Sequence, residues 1–177
     1  ILKLAEVVKA DFAFDLAAGK KAEATNVRGN SKKYKASNVT DDDPDTYWST
    51  DDGVIQASVT IDFGQETTFN RFVVQEDIRL GQRVKEFSVE AYSNNKWEEI
   101  DSQTTIGRKR TLRLPETTAS KVRFTVQDSK ACPVITKIGI YHAPKVIIEP
   151  KISRSKDGII NIEAFDSGLD IYYTVDG

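Results

Sequence analysis

Methionine is missing from this chain of 177 residues, and cysteine and histidine occur once each, as Cys132 and His142. A single cysteine excludes an internal disulfide and leaves the redox compartment open. A single histidine excludes a multi-histidine zinc site, and any Ser-His-Asp or Cys-His device would have to use it. Cys132 precedes Pro133 and reads as a small buried apolar residue rather than a nucleophile. His142 ends a strand-like run beside Ala143-Pro144 and reads as a surface or edge residue. No apolar run approaches the roughly 20 residues of a membrane span. An excess of positive charge is lacking too. The net charge of -2 argues against a general nucleic-acid binder, and Lys32-Lys33 and Arg108-Lys109-Arg110 are too short to supply a basic face. With no initiator methionine and no signal peptide, the chain is expected to be a processed or excised piece.

What is present is an ordinary soluble composition, 39% hydrophobic and 29% charged, which suits one well-packed domain and part of another. The chain is organised around Thr40 to Thr50, where Asp41, Asp42, Asp43 and Asp45 crowd one segment. Pro44 fixes a turn and has no N–H, so this stretch is neither a helix nor a central strand. It reads as a tight acidic loop with Trp48 as its anchor. Short carboxylate side chains cap free N–H groups in such loops, and they also hold hard cations through oxygen.

Ile1, Leu4, Ala5, Val8 and Phe12 follow helical spacing, so the chain opens on a short amphipathic helix that must pack on something. Period-two alternation then dominates. Val59, Ile61 and Phe63 alternate with polar neighbours and stop at Gly64. Phe72 to Val74 form a more continuous run. Phe87, Val89 and Ala91 lead through Asn94-Asn95 to Lys96–Ile100, a hairpin pattern. Thr111–Leu114, Val122–Val126 and Ile135–Tyr141 add further strands. Short strands without a second helix predict an all-β, antiparallel β-sandwich or jelly roll with a short N-terminal helix. Composition shifts at Ala143-Pro144. Residues 1–19 are expected to be a linking helix, 20–143 the sandwich, and 144–177 a linker and a truncated second β domain. The strands expected in that tail are Gly158–Ile162 and Asp170–Thr174.

Asn38 to Trp48, and Ser58 to Gly64, resemble the discoidin-like, coagulation-factor C-type module of the galactose-binding sandwich fold. Gln75 to Val84 and Ile106 to Arg110 resemble the C-terminal module of family 29 α-L-fucosidases. Ile171 to Gly177 resembles the last strand of the small immunoglobulin-like domain that ends some hexosaminidases and fucosidases. The first resemblance implies a calcium loop, with Asp41, Asp43 and Thr46 as matching ligands. Lys137 stands about where the family's further Glu ligand would be, and its ammonium is the alternative counter-charge. Asp42 replaces the family's usual Gly, which matters if the position needs a positive φ.

The fucosidase resemblance implies a noncatalytic accessory module, with its catalytic pair in an upstream barrel. Glu76, Asp77, Arg79, Gln82 and Arg83 form one polar loop between firm strands. They are expected to contact a glycan containing fucose or galactose, or the catalytic barrel of the same polypeptide. Structural ion pairing within that loop is the competing reading. Trp48 and Trp97 could stack on sugars, although strand-flanking Trp is more often core. Adhesion through loop tips is a further alternative, weakened by the lack of an evident apolar cluster in the loops. The resemblance also implies a secreted or periplasmic protein.

Overall fold

The structure is a computed structural model that describes residues 9, 11–143 and 151–163. The chain separates into two compact units, Ile1–Ala143 and Pro144–Gly177. The first unit is the antiparallel sandwich that the alternation predicts. Its strands are β1 (Lys21–Ala24), β2 (Trp48–Ser49), β3 (Ala57–Glu76), β4 (Val84–Ser93), β5 (Lys96–Gln103), β6 (Arg110–Ser129) and β7 (Val134–Tyr141). Hydrogen bonding runs in the order β2-β7-β3-β6-β4-β5, with β1 also paired to β3.

Two strands of 20 residues, β3 and β6, make the sandwich from one continuous ladder. Near Val59–Ile61, β3 pairs Phe124 and Val122 of β6 and also the strand β1. Beyond register shifts at Asp62/Thr67 and Phe69/Arg71, its Arg71–Glu76 half pairs β7. Such bulges let a strand leave one layer and enter the facing one. Gly64 takes φ +77° at this corner, a left-handed conformation suited to glycine. Pro115 lies in the stretch of β6 between Arg113 and Thr117 where no β3 partner is paired, so its missing N–H costs no ladder bond. The sequence placed a strand end there; the chain instead continues through it.

Alternating residues of both layers meet inside. Val59, Ile61, Phe72, Phe87, Val89, Val122 and Phe124 are all buried. Phe124 stacks on Phe72 at 6.2 Å and tilts against Phe87 at 5.4 Å. Trp48 is fully buried, and its indole N–H donates to the Asn26 carbonyl at 2.9 Å. It is a core anchor and not a sugar platform. Trp97 lies half-buried on the outer face, with the Arg123 guanidinium 4.2 Å from its ring centre.

The N-terminal segment is stapled to β7. Leu16 N–H donates to the Ile140 carbonyl at 2.7 Å, and Asp15 accepts the N–H groups of Ala17 and Ile140, each at 3.0 Å. Phe12 packs edge-on against Tyr141 at 5.1 Å. Of the helix expected before it, Lys9 and Asp11 are helical, and residues 1–8 and 10 lie outside the described residues.

In the second unit, β8 (Lys151–Arg154) and β9 (Ile160–Glu163) form a hairpin. The strand read at Gly158–Ile162 is β9, and its partner β8 falls where the sequence suggested a linker's end. Asp170–Thr174 lies outside the described residues.

Candidate functional site

Glu76 ends β3 and points inward. Its side chain is buried, and Oε1 accepts the backbone N–H groups of Arg83 at 2.8 Å and Val84 at 2.9 Å. Oε2 accepts the Gly107 N–H at 3.2 Å. One carboxylate therefore ties the β3–β4 connection to the β5–β6 connection. Asp77, also buried, opens a 3-10 turn at Ile78–Leu80 and accepts the Arg79 N–H at 3.1 Å.

The Arg79 guanidinium folds back on Asp77, with Nε at 2.8 Å from Oδ1 and a terminal nitrogen at 3.0 Å from Oδ2. The remaining terminal N–H groups reach Asp45 at 2.7 Å and the Pro44 carbonyl at 3.2 Å. Arg79 thus fastens the acidic loop to the β3–β4 connection. Its hydrogen bond holds the Asp77 carboxyl below the usual range against the opposing effect of burial, and the Arg79 pKa rises in return. Arg83 donates to the Cys132 carbonyl at 2.8 Å and the Leu80 carbonyl at 3.2 Å, with Cys132 Sγ at 3.0 Å.

The five residues expected at a partner surface therefore divide. Glu76 and Asp77 are buried and bonded within this chain, Arg83 is half-buried against backbone carbonyls, and Arg79 and Gln82 are exposed. Burial of the two carboxylates is affordable because backbone N–H groups and one guanidinium satisfy them. The same turn presents Ile78 and Leu80 to solvent at 47% and 45% exposure. That is an exposed apolar pair in loops whose sequence shows no evident apolar cluster.

In the acidic loop, Thr46 N–H donates to the Asp43 carbonyl at 3.3 Å, closing a turn with Pro44 in its second position. Asp42 takes φ +62°, the conformation that the family's Gly would adopt without strain. The Thr46 hydroxyl donates into the Asp41 carboxylate at 2.9–3.0 Å, and Asp41 and Asp43 each accept a backbone N–H two residues on. Asp41, Asp43 and Thr46 do come together, but calcium takes six to eight oxygens. Among the described residues no group of three or more acidic, histidine or cysteine side chains is placed to hold a metal ion. Lys137 pairs instead with Asp42, and with Asp15 at 3.2 Å. Burial pushes the Lys137 ammonium down, yet its bond to Asp42 and the charges around Tyr141 and Asp15 outweigh this and raise its pKa. In this arrangement Lys137 supplies a counter-charge to the loop through Asp42.

Between these loops lies a cleft of about 600 Å³. Its walls include Phe12, Asp43, Asp45, Arg79, Arg108 and Lys109. Arg79 and Lys137 are committed to carboxylates. Arg108 and Lys109 are exposed and have no ion-pair partner among the described residues. Lys109 lies 6.0 Å from the centre of the Phe12 ring. The sequence does not single out Phe12 or Tyr141 for this wall; the docking of Leu16 on β7 sets Phe12 against Tyr141, the last residue of that strand.

Residues 21–138 match the F5/8 type C domain. The chain belongs to that family. Alpha-L-fucosidase 1 of Arabidopsis thaliana is 27% identical over 143 residues, which cover 78% of this chain and 28% of that protein. A Ruminococcus gnavus GH29 fucosidase, solved in complex with fucose, is 35% identical, with a TM-score of 0.75 over 81% of this chain and 29% of its own. A chitosan-binding module of a Paenibacillus chitosanase/glucanase, solved with chitotriose, shares the fold at 16% identity, with a TM-score of 0.65 over 72% of this chain and 99% of its own. The F5/8 type C chain described here spans less than a third of the length of the curated fucosidases it matches. No helix among its described residues is long and apolar enough to cross a membrane.

Proposed function

We propose that this F5/8 type C chain is the noncatalytic accessory module of a longer α-L-fucosidase, a secreted or periplasmic glycoside hydrolase. The match to GH29 fucosidases, which covers most of this chain but under a third of theirs, carries the reading. A retaining glycosidase needs two carboxylates about 5 Å apart on either side of a reacting sugar. In the cleft, Glu76 is enclosed by backbone N–H groups, while Asp77 and Asp45 are held by Arg79. Carboxylates engaged in this way support a structural role better than a catalytic one.

Within the accessory role, bracing of the catalytic barrel is favoured over sugar recognition. A sugar site needs polar forks open to hydroxyl groups. Here Arg79 and Arg83 already serve this chain's own acceptors. Glycan binding keeps one specific support, the cleft itself, where Arg108 and Lys109 stand near the Phe12 ring. The acidic loop is proposed to hold its shape through Lys137 and not through calcium.

The test is to assay the pure chain on an aryl fucoside and to titrate it with fucosylated and galactosylated glycans. No fucose release is expected. Turnover that disappears on mutating the chain's own carboxylates would refute the noncatalytic assignment. Glycan binding lost in Arg108→Ala would replace bracing with recognition.

A further inference from the structure

Resting on the accessory-module reading, we infer that the turn Ile78–Leu80, with Arg108 and Lys109 beside it, is the docking surface for the catalytic domain of the same polypeptide. The partner face is an aliphatic or aromatic hollow edged by carboxylates.

Three observations converge. The first is rigidity combined with exposure. Ile78 and Leu80 are almost half exposed, yet the turn that carries them is fixed by Asp77, by Arg79 and by the backbone bonds to Glu76. Exposed aliphatic side chains on a mobile tip would mean little. On a turn already locked in place they meet a partner with little ordering cost. Apolar side chains beside an arginine suit the core of an interface, which is more apolar than the rest of the surface and enriched in arginine.

The second observation is charge. Of the cleft's carboxylates, Asp42, Asp45 and Asp77 are paired with Lys137 or Arg79, while Asp43 and Glu76 accept backbone N–H groups. Arg108 and Lys109 form a wall of exposed cations with no ion-pair partner among the described residues. A partner seated on Ile78 and Leu80 would meet that wall, so its complementary groups are carboxylates.

The third is chain direction. Phe12 lines the same cleft as Ile78, Arg108 and Lys109. Phe14 is 80% exposed, and the neighbouring cavity that it lines shares Asp42 with the cleft. Residues 12–14 therefore flank this surface. Eight residues can span at most about 28 Å, so a domain joined through residues 1–8 would lie within reach of the turn.

The experiment uses the full-length polypeptide that contains this chain. Ile78→Asp with Leu80→Asp is compared with Arg108→Glu with Lys109→Glu, and with Ile55→Asp as an exposed aliphatic control. Each variant is also made in the isolated 177-residue chain, whose melting temperature reports folding. The expected result is that both double variants split one calorimetric transition into two and expose the connection to protease. Ile55→Asp and the melting of the isolated chains should not change. Full-length variants that melt and resist protease like wild type, while the wild-type protein hydrolyses fucosides, overturn the docking surface and leave the accessory reading intact. A wild-type full-length protein without fucosidase activity overturns that reading instead. Glycan binding by the isolated chain that is lost in the Ile78/Leu80 variant assigns the turn to sugar and defeats the inference.

Discussion

Glu76 holds Arg83 by its backbone and not by its charge: Oε1 accepts the Arg83 N–H at 2.8 Å, while the guanidinium turns away to the Cys132 carbonyl at 2.8 Å. A pair that reads in sequence as an ion pair is two separate devices. One knots two connections together, and the other closes the wall around Cys132.

The first consequence is for stability. Glu76→Ala would leave the N–H groups of Arg83, Val84 and Gly107 without their acceptor in a buried site. Unmet buried donors cost about 1–3 kcal/mol each when water cannot reach them, so a loss of about 2–4 kcal/mol is expected after relaxation. Urea unfolding of the chain measures it. A midpoint unchanged from wild type would show that the knot does not matter.

Strand alternation made most of the sandwich legible, because each layer buries one face and period two records which. Val59, Ile61, Phe87 and Val122, all buried, carry that record. The continuity of β3 and β6 through their corners was not legible, since a bulge leaves no periodic mark and Pro115 looks like a stop. The inward turn of Glu76 was hidden for a different reason. Its partners are backbone N–H groups at positions 83, 84 and 107, and a backbone donor has no letter in the sequence. Arg79 and Asp45 are 34 residues apart and meet only because the 3-10 turn lies over the acidic loop. Lys137 could be anticipated through its place in the family pattern, but Asp15, its second partner, could not.

Lys137 leads to a paired test of the acidic loop. Lys137→Ala removes the ammonium shared by Asp42 and Asp15, of which Asp15 is largely buried. A loss of about 1–2 kcal/mol is expected. Chelator should leave the melting temperature of the wild-type chain unchanged. A fall in chelator, restored by added calcium, would show that the metal and not the lysine closes the loop.

Acid should act through Asp77 and Glu90. The side-chain bond from Arg79 lowers the Asp77 pKa, and that from Arg123 lowers the Glu90 pKa, each against the cost of burial. A depressed folded-state pKa contributes stability above the unfolded value, near 3.8 for Asp and 4.5 for Glu, and this is lost as pH falls through the folded value. Stability should therefore drop from about pH 4.5 downward, less steeply in Glu90→Gln. Parallel acid profiles for the variant and the wild type would rule out this contribution.

Alkali should act through Tyr141. Burial, and next the negative charge of Asp15, push its phenol up to about 12 from an ordinary 10.0. The folded state then holds the proton more tightly than the unfolded chain. Stability from this group is complete below pH 10 and is lost as pH rises toward about 12. Ultraviolet titration should show late tyrosine ionisation that shrinks in Tyr141→Phe, with Tyr47, also pushed up by burial, as the remaining late group. A full set of tyrosines ionising together near pH 10 would contradict the burial and the Asp15 contact.

Gly139 decides whether that contact can form at all. A methyl group built on it would lie 2.7 Å from the Tyr141 hydroxyl, 2.8 Å from its ring and 3.0 Å from an Asp15 carboxylate oxygen. Real Cβ atoms do not tolerate such distances, so in Gly139→Ala the ring must swing away. Tyr141 would then lose Asp15, now 3.2 Å from its hydroxyl, and also the Phe12 ring that packs on it edge-on. Overpacking of this kind costs about 1–3 kcal/mol. The strand should survive, because Gly139 pairs Val73 through its backbone alone. The expected outcome is a lower melting temperature with an unchanged far-ultraviolet spectrum, and faster proteolysis near Phe12 and Phe14. Tyr141→Phe added to Gly139→Ala should recover part of the loss, because it removes the hydroxyl that meets the methyl group. If the double variant is no more stable than Gly139→Ala alone, the strain lies in the ring or in Asp15. If Gly139→Ala is as stable as wild type, Tyr141 does not clasp the N-terminal segment to β7.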